Sequence, residues 1–220
     1  AAEISGRHRK DAGREGKCYR GADSGRFEIG DSVSEMKETA AASAIVPGRS
    51  CGSCTMCCKI FDIPQINKLY GQWCPHVRQG RGCGIYETRP DVCRTYHCAW
   101  LLHPHLGPEW KPERAKFTLD FIDQDDLRVM VDPKTPHAWK QQPYYAQIKS
   151  WAAQRCAIGK FVRVYVGRHL IVVLPDHDED IGVLGEGDVM SLMRRQGPEG
   201  VRYRVKIESS GDASSSGADD

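Results

Sequence analysis

The residues that could do chemistry in this chain are its cysteines. Of ten, eight fall in one stretch, Cys51, Cys54, Cys57, Cys58, Cys74, Cys83, Cys93 and Cys98, and only Cys18 and Cys156 lie outside it. Thiols gathered this densely are paired with one another, bound to metal, or reactive. The head of the stretch, C-x-x-C-x-x-C-C, suits metal. Two cysteines separated by two residues can place both sulfurs on one ion through a tight knuckle, and Gly52 and Ser53 permit that turn. A third cysteine at the same interval matches the core of four-iron ferredoxin segments, without the proline-flanked fourth cysteine close behind. Zinc and an iron–sulfur cluster are therefore both compatible with the spacing. On a helix, at about 100° per residue, Cys51, Cys54 and Cys58 would fall within roughly 60° of one another and Cys57 would point aside. The adjacent Cys57 and Cys58 are thus expected to serve different roles. Eight thiolates suffice for two four-coordinate sites, or for one cluster with four sulfurs to spare. Cys74-Pro75-His76, and Cys93 to Cys98 with His97 between, supply partners from downstream.

The segments CGSCTMCC, WCPHV and GCGIYETRPDVCRTYHC, in that order, resemble the YkgJ-like cysteine-cluster family, also called the CxxCxxCC family and described as a putative zinc- or iron-chelating domain. The resemblance covers about residues 48–100. It implies metal chelation through Cys51, Cys54, Cys57, Cys58, Cys74, Cys83 and Cys93; Cys98 closes the same stretch and completes the candidate set. Relatives with a similar head include a flagellin lysine methylase, although nothing outside the cluster resembles a methylase.

Three function classes follow. The first is a cytosolic metal-binding protein that chelates zinc or an iron–sulfur cluster, with a protein partner unspecified. The second is an iron–sulfur-dependent redox or group-transfer enzyme, in which spare cysteines beside Arg89, Arg94 or His97 have lowered pKa values. No nucleophile-elbow, phosphate-loop, dinucleotide or zinc-protease signature is present, and the C-x-x-x-C-x-x-C spacing of radical enzymes is absent. The third is a nucleic-acid-binding zinc module, disfavoured because 31 basic against 29 acidic residues leave a net charge of only +2. Two zinc ions on eight thiolates would leave a local charge of about −4, which Lys59, Arg78, Arg81, Arg89 and Arg94 are placed by sequence to offset. No run of 18 apolar residues and no secretory leader pattern occurs, so the expectation is a reducing cytoplasm, where clustered cysteines bind metal more often than they pair.

The elements that must hold this cluster read as an α+β protein. Residues 1–47 are expected to be a disordered or leader-like extension, with Met36 a candidate native start and a short alanine-rich helix over Lys37–Ile45. Residues 48–111 form the cysteine module, 112–207 an α+β part, and 208–220 a disordered tail. Within the module a short helix is expected after Asp62, with Ile63, Ile66, Leu69 and Tyr70 on its packed face, and a tight loop around Gly80, Gly82 and Gly84. The prolines in AWLLHPHLGPEWKPE forbid one continuous helix there, and His103 and His105 on an extended stretch could share a side and form an accessory metal site. Alternation predicts a hairpin from Phe117–Phe121 and Leu127–Val131 around a turn at Gln124–Asp126, and another from Phe161–Val166 and Leu170–Leu174. A helix that follows Pro143 and runs to about Ile158, stopped by Gly159, lies between them, with Cys156 a small core residue. His169 sits at the second turn without a visible partner, Asp176–Asp180 reads as a solvated loop, Val183–Met193 as loop and short helix, and Val201–Ile207 as a last strand.

Overall fold

Prolines and glycines break the first half of the chain into short pieces, and β-branched alternation builds a sheet from the second. The structure, a computed structural model, describes residues 45–122, 126–198 and 200–209. The extension with Cys18 and Met36, residues 37–44 of the alanine-rich stretch, turn residues 124 and 125, and the tail beyond 209 lie outside these.

The cysteine-rich half is made of α1 (Met56–Ile60), the two-stranded ribbon of β1 (Val77–Arg78) and β2 (Gly82–Cys83), α2 (Asp91–Thr95), α3 (Ala99–Leu102) and α4 (Pro112–Ala115). As the prolines require, α3 stops before Pro104, a 3-10 turn starts at Pro108, and Pro112 opens α4. The helix expected after Asp62 does not form. Pro64–Ile66 is a single 3-10 turn, Asn67 is left-handed at φ 51°, and Ile63 pairs with Lys68 in an isolated bridge. The cause is Lys68, whose buried ammonium donates to the carbonyls of Lys59 and Phe61 and folds the segment back onto the end of α1. Leu69, expected on the packed face, is left exposed.

In the second half β3 (Phe117–Ile122) and β4 (Asp126–Val131) form the first hairpin, with Phe117 opposite Val131 and Phe121 opposite Leu127. α5 (Tyr144–Ala157) follows and ends before Gly159 at φ 76°, where a left-handed residue closes the helix. β5 (Val162–Val166) and β6 (His169–Val173) form the second hairpin, with Val166 opposite His169. The hairpins are one sheet, because β5 runs parallel to β4, Leu127 opposite Val162, with α5 as the crossover.

A fifth strand, β7 (Asp178–Gly182), pairs with β6 and overturns the solvated-loop reading of the acidic run. Its charges are neutralised from elsewhere in the chain. Asp178 meets Lys140 at 3.0 Å and Lys149 at 3.1 Å, and Asp180 meets His169 at 2.6 Å, which gives that histidine the partner the sequence did not show. Of the loop and short helix expected over Val183–Met193, the loop is present at 183–188, but the helix is replaced by β8 (Val189–Gly197), which pairs along its whole length with β9 (Gly200–Glu208). This separate ribbon seats Met190, Leu192, Tyr203 and Val205 against a cluster of Cys156, Phe161, Leu170, Val172 and Leu174. Cys156 is the buried core residue that its place in the helical pattern predicts.

One face of the sheet carries Leu127, Val129, Val131, Val162 and Val164, covered by Ile148, Trp151 and Ala152 of α5 and by Trp110 and Trp139. Trp110 contacts the rings of Phe117, Tyr144 and Trp151 at centroid distances of 6.0, 5.1 and 5.2 Å. Met130 and Tyr165 point the other way and receive Met56, Ile60 and Phe61. α1 of the cysteine module thus rests on the face opposite α5, while Ala99, Leu106 and Trp110 join the core on the α5 side, and the protein is an α+β fold with the sheet as its middle layer. No helix among the described residues is long and apolar enough to cross a membrane.

Candidate metal centre

Short helices, strands and turns position the eight cysteines. Cys51 and Cys54 lie in a turn before α1, with the Cys54 N–H donating to the Cys51 carbonyl at 2.8 Å. Helix begins only at Met56, so the projection of Cys51, Cys54 and Cys58 onto one helical stripe does not hold; Gly52, at φ 52°, takes the chain through the turn instead. Cys57 and Cys58 are on α1, Cys74 follows the turn at Gly71, Cys83 is on β2, Cys93 is on α2, and Cys98 is the residue before α3. The Cys74 N–H donates to the Cys58 carbonyl at 3.1 Å, so the second group is tied directly to α1. Gly82 brings β2 against the Cys51–Cys54 turn. An added Cβ there would meet the Gly52 carbonyl oxygen at 2.2 Å, so only glycine lets the two turns approach this closely. All eight are free thiols, as is Cys156.

Cys51, Cys54, Cys57, Cys58, Cys74, Cys83 and Cys93 line one cleft of about 210 Å³. Cys98 is buried behind it and shares a cavity of about 40 Å³ with Cys51, Cys54, Cys57 and Cys93. The remaining cleft wall is largely apolar, from Phe61, Ile63, Ile66, Ile85, Val92 and the ring of Tyr96, which packs edge-on to Phe61 at 4.7 Å. Of the four histidines with a claim on the site, His76 lines the cleft, while His97 lies on a different surface with Thr95 and Asp120. His103 is 2% exposed and His105 is exposed, so the two rings do not share an open side, and burial pushes His103 down to about 4.

The compensating cations are only partly those expected. Arg89 lines both cavities, stacks on Tyr86 at 3.9 Å and acts on Cys58 and Cys93; its buried Nε has no hydrogen-bond partner among the described residues. Lys59 instead turns away to an ion pair with Asp132, Arg94 pairs with Asp91 on the surface, and Arg78 and Arg81 are exposed. In their place stand Lys68, whose charge acts on Cys58 and Cys74, and Arg128, which reaches the cleft from β4 while held by Asp120 at 2.7 Å. Neither was legible beforehand: Lys68 lies in a segment read as helix, and Arg128 comes from the far side of the chain.

The thiols are unequal. Cys58, hydrogen-bonded by Cys57 and facing Lys68 and Arg89, is lowered to about 7 despite its burial, whereas Cys57 is driven well above the usual thiol range by the same bond and by burial. Burial raises Cys54, Cys74 and Cys93, and pushes Cys98 up to about 12. Apolar surroundings thus hold most of these sulfurs protonated, and a bound cation is what would displace the protons. As placed, no group of three or more His, Cys, Asp or Glu side chains among the described residues could hold a metal ion. The donor chemistry nevertheless fits a thiophilic ion: seven free cysteines line one cleft, each with a single side-chain torsion whose staggered wells differ by roughly 3 Å at Sγ.

No family model, curated protein or solved structure matches this chain.

Proposed function

We propose that the protein is a cytoplasmic metal-binding protein whose Cys51–Cys98 stretch chelates zinc or an iron–sulfur cluster, the role that its resemblance to the YkgJ-like family implies. The observation that carries this reading is the convergence of seven cysteines from four separate stretches, 51–58, 74, 83 and 93, on one cleft, all as free thiols. Structural burial alone would scatter small apolar cysteines through the core, as it does Cys156. When bound, zinc would crosslink the short elements, and an iron–sulfur cluster would add electron transfer. The protein's share is to gather the sulfurs, to exclude water with Phe61, Ile63 and Ile85, and to set Arg89 and Lys68 against the thiolate charge.

A second reading, an iron–sulfur-dependent redox or group-transfer enzyme, is favoured by one feature. The cleft is open beside the sulfurs and lined mostly by apolar groups, as a substrate site would be.

Elemental analysis of anaerobically purified protein, with its visible spectrum, tests both. Zinc in a colourless sample supports closed thiolate coordination. Iron with acid-labile sulfide and a broad band near ~400 nm supports the cluster. Absence of any metal, with the cysteines oxidised in pairs, would overturn the proposal.

A further inference from the structure

The eight cysteines are not one undivided group. Cys51 and Cys54 are joined by their turn, and the charges that reach Cys98 are those of Cys54 and Cys51, with Cys57 also facing these two. On the other side, Cys74 is bonded through its backbone to Cys58, the ribbon sets Cys83 opposite Val77, whose own N–H closes the turn onto Cys74, and Cys93 has Cys58, Cys74 and Cys83 as its thiol neighbours. The cavities keep the far ends of the two groups apart: Cys98 lines only the small cavity, whereas Cys58, Cys74 and Cys83 line only the large cleft. Cys51, Cys54, Cys57 and Cys93 border both; Cys51 and Cys54 neighbour Cys57 and Cys98, and Cys93 neighbours Cys58, Cys74 and Cys83. The groups touch at the hydrogen bond between Cys57 and Cys58, consecutive residues on α1 whose side chains leave the helix about 100° apart.

We infer that the cluster holds two separate tetrathiolate centres, one formed by Cys51, Cys54, Cys57 and Cys98 and the other by Cys58, Cys74, Cys83 and Cys93, with α1 contributing one cysteine to each. The double cysteine at the end of C-x-x-C-x-x-C-C is the branch point that divides them. This rests on the metal-binding reading and adds the ligand set of each site. Each centre needs four thiolates, so loading one divalent ion releases the protons that its four cysteines carry.

The test uses the full chain, reduced and metal-free, with zinc as the probe. After strongly substoichiometric zinc, the free thiols are alkylated and the peptide carrying Cys51, Cys54, Cys57 and Cys58 is fragmented. Two forms are expected: one with Cys51, Cys54 and Cys57 protected and Cys58 alkylated, the other with the reverse. Saturation is expected at two zinc per chain. A dominant form with Cys57 and Cys58 protected together, or saturation at one zinc, overturns the division while leaving metal binding intact. No protection of any cysteine overturns the metal-binding reading with it. Cys98→Ser and Cys83→Ser should each reduce zinc from two to one per chain, the first sparing protection of Cys74 and the second that of Cys51. If either variant fails to fold, the wild-type protection pattern decides alone.

Discussion

Lys59 and Asp132 form an ion pair sealed between the cysteine module and the sheet, with side chains only 5% and 8% exposed. Lys59 follows Cys58 on α1 and Asp132 follows the last residue of β4, so the pair fixes the helix that carries two cysteines to the end of an inner strand of the sheet. Asp132 also accepts from the Lys134 N–H at 3.0 Å, and the Lys59 ammonium lies 5.4 Å from the centre of the Trp73 ring.

Removing one partner leaves a buried charge without its counterion. Asp132→Ala is expected to cost about 3–5 kcal/mol, whereas replacing both residues by apolar ones of similar volume, Lys59→Met with Asp132→Leu, should cost far less. Chemical denaturation of the three proteins checks this. Equal losses for the single and double variants would mean that the pair contributes through packing and not through charge.

Gly82 makes a sharper prediction about the site. At φ 89°, with the Gly52 carbonyl in the space a Cβ would occupy, Gly82→Ala cannot be accommodated unless β2 moves away from the Cys51–Cys54 turn. The expected result is loss of more than about 1 kcal/mol in stability together with weaker zinc retention against a chelator. Gly80→Ala, at φ 69° but with nothing within 4 Å of the added Cβ, should show only the conformational cost. Metal retention distinguishes the two, because only Gly82 bears on the spacing between the turns that carry cysteines.

How much of this was legible in the chain follows from how local each signal is. Hairpin partners such as Phe117 and Val131, the end of α5 at Gly159, and the breaks at Pro104, Pro108 and Pro112 depend on neighbours a few residues away, and all could be read directly. The parallel pairing of Leu127 with Val162 could not, since no period in the sequence says which strands of two hairpins will meet. Nor could β7. An acidic strand looks like a solvated loop until Lys140, Lys149 and His169 arrive from other elements to neutralise it. At the site the cysteine spacing marked the clustered thiols, but Lys68 and Arg128 reach them only through tertiary packing.

Thiol reactivity in the metal-free protein should vary with pH residue by residue. Cys58 receives the hydrogen bond of Cys57 and faces Lys68 and Arg89, which lowers it to about 7, while Cys57 is moved the opposite way. Only the thiolate attacks an alkylating agent. The alkylation rate of Cys58 is therefore expected to rise with a midpoint near pH 7, and that of Cys57 only at much higher pH. Lys68→Met should shift the Cys58 midpoint upward by removing a cation. A common midpoint for both cysteines, read by peptide mapping, would contradict the asymmetry.

His103 sets the last prediction, which concerns stability and not the site. Its ring is 2% exposed, and desolvation, with His105 and Arg49 adding repulsion, lowers it from 6.5 to about 4. The folded state therefore binds this proton less readily than the unfolded state does. Between pH 6.5 and about 4 the unfolded chain carries the extra proton, so stability falls as pH drops through this window and is fully regained above it. The loss ascribable to His103 is on the order of 2–3 kcal/mol. His103→Gln removes the titration. Its unfolding free energy should lie below that of the unaltered protein at neutral pH, and the difference should narrow as pH falls toward 4. The lowered carboxylates Glu113, Asp176 and Asp178 titrate in both proteins and cancel in that difference. Denaturant melts of the two proteins across the window measure it directly, and parallel curves would show that His103 is free to protonate where it stands.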